Sequence, residues 1–279
     1  MISRLLVIAG AGDYPRFIVE GARRAGVARV DVLAVKGSCP RSTARLGDNV
    51  SLFAVGETDK AVEWAAAEGY DGAVLAGQVN PLSLFSGRFD DTVRRWLREM
   101  PVKNAHTIFG KLVYEFEAAG VRILPASLYM DDYMPGAGAL TDRGLTDLER
   151  DDVRRGMQVA ADMGSHDVGQ TVLVKSGMVL AVEAFEGTNA AILRAGRLSK
   201  GSVLCKAARE GHDWRFDIPV VGLTTLKKMK KAGVTALAFQ AGRLILLDRE
   251  AVVSFANKRG MAIVGIDSGL PPAPLRLAT

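Results

Sequence analysis

Only two cysteines and three histidines occur in the 279 residues of this chain. Cys39 and Cys205 lie in different segments and form no C-x-x-C, which speaks against a disulfide framework and fits a reducing, cytoplasmic setting. His106, His166 and His212 share no ligand spacing, so a zinc site is not expected. His166 reads as a loop residue; His212, shortly before Asp217, is the better candidate for a contact. Aromatic residues make up 6% and nowhere alternate with a Lys/Arg tract, so nucleic acid is not an expected partner. No apolar stretch approaches the ~20 residues needed to span a bilayer. The N-terminal run Leu5-Leu6-Val7-Ile8 stops at Gly10-Ala11-Gly12-Asp13, too early for a signal peptide. There is no G-x-S-x-G and no Walker loop, which removes the serine-hydrolase and P-loop chemistries.

What is present is ample apolar material. Hydrophobic residues make up 48% of the chain, and its length favours two domains over one. The formal net charge of +5 suits an anionic substrate or an anionic lipid surface. The one dense basic run, Lys227-Lys228-Met229-Lys230-Lys231, reads as the solvated last turns of a helix, where positive charge complements the dipole.

Apolar runs at 4–9, 30–35, 50–55 and 72–76 alternate with helical patterns at 14–25, 58–68, 90–99 and 106–119, and a short strand is expected at 121–124. That alternation implies α/β architecture with a mostly parallel, Rossmann-like sheet. In such sheets ligands bind beyond the carboxyl ends of the strands, where Gly10-Ala11-Gly12-Asp13 and Gly77-Gln78-Val79-Asn80 fall. The domain is assigned to 1–128, and the aperiodic, turn-rich stretch 129–145 reads as a linker. Thr146-Asp147-Leu148-Glu149 is a capping box opening a helix to about 163. The rest of 146–279 is a distinct mixed α/β domain. It has a hairpin through Ser176-Gly177, helices at 188–195, 224–232 and 249–259, and strands at 203–206, 234–239, 243–247 and 261–266.

Gly10-Ala11-Gly12 resembles half of a dinucleotide fingerprint, but Pro15 replaces the third glycine and Lys36, not an acid, closes the second strand; both argue against NAD. Two polar islands stand out instead. One is Glu183-Ala184-Phe185-Glu186-Gly187-Thr188-Asn189; the other is Arg215-Phe216-Asp217-Ile218-Pro219, followed by a helix start at Thr224. Carboxylates suit a hard cation, and helix starts offer backbone N–H groups to an anion. Taken singly, Glu186-Gly187-Thr188 reads as an N-cap and Asp217 as a strand-end turn residue. Their recurrence, with Lys206 nearby, favours a metal-assisted reaction on a phosphate ester or anhydride.

At these residues the chain resembles the LpxI-type UDP-2,3-diacylglucosamine pyrophosphatases of lipid A synthesis. The pieces that carry the resemblance are Ile8-Ala9-Gly10-Ala11-Gly12 with Pro15, Ala76-Gly77-Gln78-Val79 and Asp167-Val168-Gly169-Gln170. To these are added Leu180-Ala181-Val182-Glu183-Ala184-Phe185-Glu186-Gly187-Thr188, Val203-Leu204-Cys205-Lys206, Arg215-Phe216-Asp217-Ile218-Pro219 and Ala241-Gly242-Arg243 with Asp248-Arg249. The resemblance implies magnesium-dependent hydrolysis of UDP-2,3-diacylglucosamine to UMP and 2,3-diacylglucosamine 1-phosphate (lipid X), with Asp217 as the key catalytic acid. It departs at Asn189, where members usually carry Asp, and at Gln240, where Glu is frequent. Paired aspartates are also missing around Asn104-Ala105-His106-Thr107.

The expected site therefore has Asp217, with Glu183, at the Mg2+ ion. Gly10, Ala11, Gly12, Asp13, Gly77, Gln78, Val79, Asn80, Glu186, Gly187, Thr188, Asn189, Lys206 and Thr224 are the expected substrate-binding residues. Peripheral contact with the inner membrane surface and a homo-oligomer complete the expected partners. Two alternatives stay open at this point: a catalytically silent nucleotide-sugar or lipid carrier, and a Rossmann oxidoreductase.

Overall fold

The computed structural model of the chain describes residues 2–79, 89–102, 104–209, 211 and 213–274, and the chain divides into two units. The first comprises Met1–Met130 together with Trp214–Phe216 and the C-terminal piece that begins at Pro274. The second comprises Asp131–Asp213 and Asp217–Ala273.

In the first unit, β1 (Arg4–Ala9), β2 (Arg29–Val35), β3 (Val50–Phe53) and β4 (Gly72–Ala76) form a parallel sheet in the order β3-β2-β1-β4. β1 and β4 are buried along nearly their whole length, which is why their sequences read as unbroken apolar runs. Among the described residues the helices are α1 (Tyr14–Arg24), α2 (Arg41–Ala44), α3 (Thr58–Glu68), α4 (Asp91–Glu99) and α5 (Ala105–Ala118). α4 and α5 start at Asp90 and Asn104, whose side chains accept the Val93 and Thr107 N–H groups. Trp214–Phe216 closes this unit: the Trp214 carbonyl accepts the Ala126 N–H, and Phe216 stacks on Phe109 at 5.8 Å between centroids. The expected strand at 121–124 is reduced to one bridge between Ala73 and Ile123, since Pro125 cannot extend the ladder.

In the second unit a mixed sheet runs in the order β5 (Gly138–Ala139), β12 (Ala262–Ile266), β10 (Ala236–Gln240), β8 (Val203–Lys206), β6 (Thr171–Lys175), β7 (Met178–Val182). β12, β10 and β8 are parallel; β5, β6 and β7 join antiparallel. Alternation along each strand sends Val203, Cys205 and Ala238 to one face, covered by α6 (Asp147–Ser165). Leu173, Leu204, Leu237 and Phe239 go to the other, under α7 (Thr188–Leu198), α8 (Leu223–Ala232) and α9 (Arg249–Asn257). α6 opens on the capping box of Thr146 and Glu149, and the hairpin turn has Ser176 and Gly177 at φ 50° and 76°.

In the second unit two further elements depart from the sequence expectation. β5 lies inside the stretch 129–145, where two residues suffice to pair with β12. Of the expected strand at 243–247 only β11 (Ile245–Leu246) forms, and it pairs with β9 (Val220–Val221), outside the main sheet. Among the described residues no helix is long and apolar enough to cross a membrane.

Candidate functional site

In the first unit the strand-end loops after β1 and β4 are zipped together. Gly10 N–H donates to the Ala76 carbonyl (2.8 Å), and Ala11 and Gln78 exchange backbone hydrogen bonds (2.6 and 3.0 Å). A Cβ at Gly10 would sit 2.5 Å from the Gln78 carbonyl oxygen. One at Gly77, where φ is 87°, would meet the Ala11 carbonyl oxygen at 2.6 Å, so both positions require glycine. The expected residues Gly10, Ala11, Gly77 and Gln78 are thus neighbours. Gly12 and Asp13 lie exposed at the start of α1, and Val79 follows half-buried. Asn80 and His212 lie outside the described residues.

In the second unit the period of two along β6 and β8 decides the rest. Thr171 and Lys206 are register partners and share the Leu173/Leu204 face, so both side chains turn towards the start of α7. Lys206 is 4% exposed. Its Nζ donates to Thr171 Oγ1 (2.9 Å) and Thr188 Oγ1 (3.0 Å) and lies 3.5 Å from Glu183 Oε2. Thr188 Oγ1 donates in turn to Glu183 Oε1 (2.8 Å). Burial pushes the Glu183 carboxyl up, but the Lys206 ammonium and the threonine hydroxyls outweigh it and hold the group below the usual carboxylate range. Among the described residues Glu183 Oε2 is buried with no hydrogen-bond partner of its own.

Gly187 at φ 80° caps α7, so its first turn presents backbone N–H groups beside this ammonium. Glu186 turns away: it pairs with Arg194 at 2.6 Å, and that bond holds its carboxyl below the usual range. Asn189 and Thr224 are exposed on the first turns of α7 and α8. Asp217 is half-buried; its N–H donates to the Asp213 carbonyl (2.9 Å), and Gln170 Nε2 donates to its Oδ1. Gln240, at the end of β10, accepts the Ala208 N–H at 2.8 Å, a role in which a glutamate oxygen would serve equally.

The structure therefore brings Glu183, Thr188 and Lys206 together and adds two residues that the sequence reading did not assign, Thr171 and Gln170. Thr171 had a signal, a hydroxyl opening the apolar run Val172-Leu173-Val174; in the structure it is fully buried. Among the described residues no group of three or more His, Cys, Asp and Glu side chains could hold a metal ion. The donor set that remains fits a hard divalent cation of the magnesium kind, which takes one or two carboxylates and fills its shell with water and phosphate oxygens. Asp217 suits that role. Glu183 suits it poorly, because an ammonium already faces its carboxylate.

Two family models cover the chain between them. The LpxI N-terminal domain matches residues 4–133 and the LpxI C-terminal domain residues 136–264. A relative from Caulobacter vibrioides, "UDP-2,3-diacylglucosamine pyrophosphatase LpxI", is 30% identical over 95% of this chain and 98% of its own length. Solved structures lend no argument. The biotin carboxylase domain of a thermophilic 2-oxoglutarate carboxylase bound to ADP is 13% identical with a TM-score of 0.29, covering 62% of this chain and 35% of that one. The Hydrogenobacter thermophilus 2-oxoglutarate carboxylase domain in complex with MgADP is 12% identical with a TM-score of 0.29, covering 71% of this chain and 42% of that one. On the two domain matches and the full-length relative, the chain belongs to the LpxI family.

Proposed function

We propose that this chain hydrolyses the diphosphate bond of UDP-2,3-diacylglucosamine, releasing UMP and 2,3-diacylglucosamine 1-phosphate (lipid X) for lipid A synthesis. The observation that carries the reading lies in the second unit. A buried ammonium, Lys206, stands at the start of α7, and an oriented carboxylate, Asp217, is held by the residue next to its threonine partner. The family relationship supplies the substrate.

In this reading Lys206 and the first-turn N–H groups of α7 and α8 attract phosphate oxygens, a task for which fixed donors need no reorganisation. Thr188 and Asn189 border that anion site, Thr224 opens the second helix, and Gly187 lets the backbone approach. Asp217 orients the attacking water or holds the cation. A bound Mg2+ would neutralise charge on the diphosphate. Gly10, Ala11, Gly12, Asp13, Gly77, Gln78, Val79 and Asn80 of the first unit are proposed as further substrate-binding residues. The corresponding division is a Rossmann-like domain at 1–128 and a catalytic domain at 146–279; the stretch 129–145 between them is not wholly a linker, since β5 lies in it. The acyl chains of substrate and product call for peripheral contact with the cytoplasmic side of the inner membrane.

The test is Asp217→Ala, assayed for UMP release across a series of divalent metals after native-like circular dichroism is verified. Turnover should fall by roughly 100-fold or more, the range for a lost acid–base group. Near-normal turnover rejects the assignment. UMP release by the unaltered protein that ignores chelation rejects the metal.

A further inference from the structure

Gly169-Gln170-Thr171 touches three residues of the proposed site, each through a different group. At Gly169 a Cβ would run into the Glu183 carbonyl, so the backbone is pressed against that residue. Gln170 donates from Nε2 to Asp217 Oδ1, while its own carbonyl accepts the Ala207 N–H at 2.9 Å. Thr171 accepts the Lys206 ammonium on its hydroxyl and the Glu183 N–H on its carbonyl (2.8 Å). One tripeptide at the entrance to β6 thus ties the carboxylate of Asp217 to the ammonium cluster.

The chemistry of the central contact has one sense only. An ionised carboxylate accepts and cannot donate, so Gln170 must present its NH2 group and not its carbonyl oxygen. The Asp217 backbone is fixed by its bond to the Asp213 carbonyl, and Gln170 adds a donor to one oxygen of its carboxylate. We propose that Gln170 is a positioning residue, which holds Oδ1 of Asp217 so that the carboxylate keeps a single orientation. The inference rests on the reading of Asp217 as the reacting carboxylate. Gln170 itself touches neither substrate nor metal in this scheme. Its contribution belongs to geometry, where a misplacement of about 1 Å is worth on the order of 100-fold in rate.

The experiment compares Gln170→Met, which keeps length and loses the donor, with Gln170→Glu, which sets an acceptor against an acceptor. Each is assayed for UMP release and melted alone and in combination with Asp217→Ala. Outer partners of this kind are worth roughly 10- to 100-fold. The expected result is a fall in kcat of that size with KM unchanged, because only transition-state geometry is lost. The melts should be non-additive: once Asp217 is alanine, losing the Gln170 amide should cost nothing further. Normal kcat in either variant, or strictly additive melts, overturns the proposal. That failure is distinguishable from failure of the functional reading, which shows as turnover surviving in Asp217→Ala itself.

Discussion

Glu149 and Glu183 are both carboxylates of the second unit that face a cation and a threonine, yet they close their hydrogen bonding differently. Glu149 is gripped by Arg143 through both oxygens (2.7 and 2.8 Å) and accepts the Thr146 N–H (2.9 Å) and the Thr235 hydroxyl (2.7 Å). Arg143 directs its remaining N–H groups to the carbonyls of Gly144, Thr235 and Gly260. Every polar atom there has a protein partner, and the cluster does one thing: it pins the capped end of α6 to the sheet. Glu183 has one good hydrogen bond, from Thr188, and leaves Oε2 buried without one. Its cation is a lysine, a point charge with rotatable donors, in place of a planar fork. A fully satisfied pair belongs to architecture; a buried pair with capacity left over is where a ligand can still change the balance.

Removing the cation from the open cluster has the largest expected effect. Lys206→Met should lower kcat/KM for UMP release by roughly 100- to 1000-fold, the range for a lost electrostatic donor. It should also destabilise the fold by about 3–5 kcal/mol, since Glu183 would be left buried and unpaired. Steady-state kinetics and denaturant melts of the same preparation separate the two losses. If stability falls and turnover does not, the open cluster is architecture as well and the contrast with Glu149 collapses.

The closed cluster should behave the opposite way. Glu149→Gln keeps the shape and removes the charge, and losing charge-assisted bonds is worth about 1.5–3 kcal/mol. For a unit of this size that corresponds to a melting point lower by roughly 3–12 °C. Turnover at 25 °C should be unchanged. A drop in kcat in this variant would bring the start of α6 into the chemistry.

The same contrast governs what could be read from the sequence. The Thr146/Glu149 capping box was visible because it is local, two residues three apart reporting one helix start. So was the Ser176-Gly177 turn, where both positions take positive φ. β1 and β4 were visible as buried apolar runs. β5 and β9 were not, because strands of two residues leave no periodicity and find their partners far along the chain. Asp217, Glu183, Thr188 and Lys206 could be named as chemistry-bearing types at helix starts and strand ends. Gln170 was visible only as part of the piece Asp167-Val168-Gly169-Gln170; its role emerges once folding brings it to a carboxylate 47 residues away. Thr171 acquires its meaning from a register partner 35 residues away.

Acid titration offers the finest discrimination between the clusters. Hydrogen bonds from Arg143 hold the Glu149 carboxyl down to about 2, against an ordinary value of 4.5; burial opposes the shift, and the Thr146 N–H and Thr235 hydroxyl reinforce it. A group depressed on folding stabilises the folded state above its unfolded value and loses that contribution as pH falls towards the folded one. Glu149 should therefore stabilise the fold fully above about pH 4.5 and progressively less down to about pH 2. A shift of that size corresponds to at most about 3 kcal/mol, and solvent around the partly exposed Arg143 reduces it further. The measurement is ΔG of unfolding against pH for the unaltered chain and for Glu149→Gln. The two curves should converge as pH drops from 4.5 towards 2 and run parallel above that window. Glu183 is held low as well, by Lys206 against the opposing pull of burial, and it titrates in both proteins alike, so it cancels from the difference. Curves that stay parallel down to the acid limit would mean that the Arg143 fork does not hold Glu149 ionised, and the closed cluster would lose the property that sets it apart.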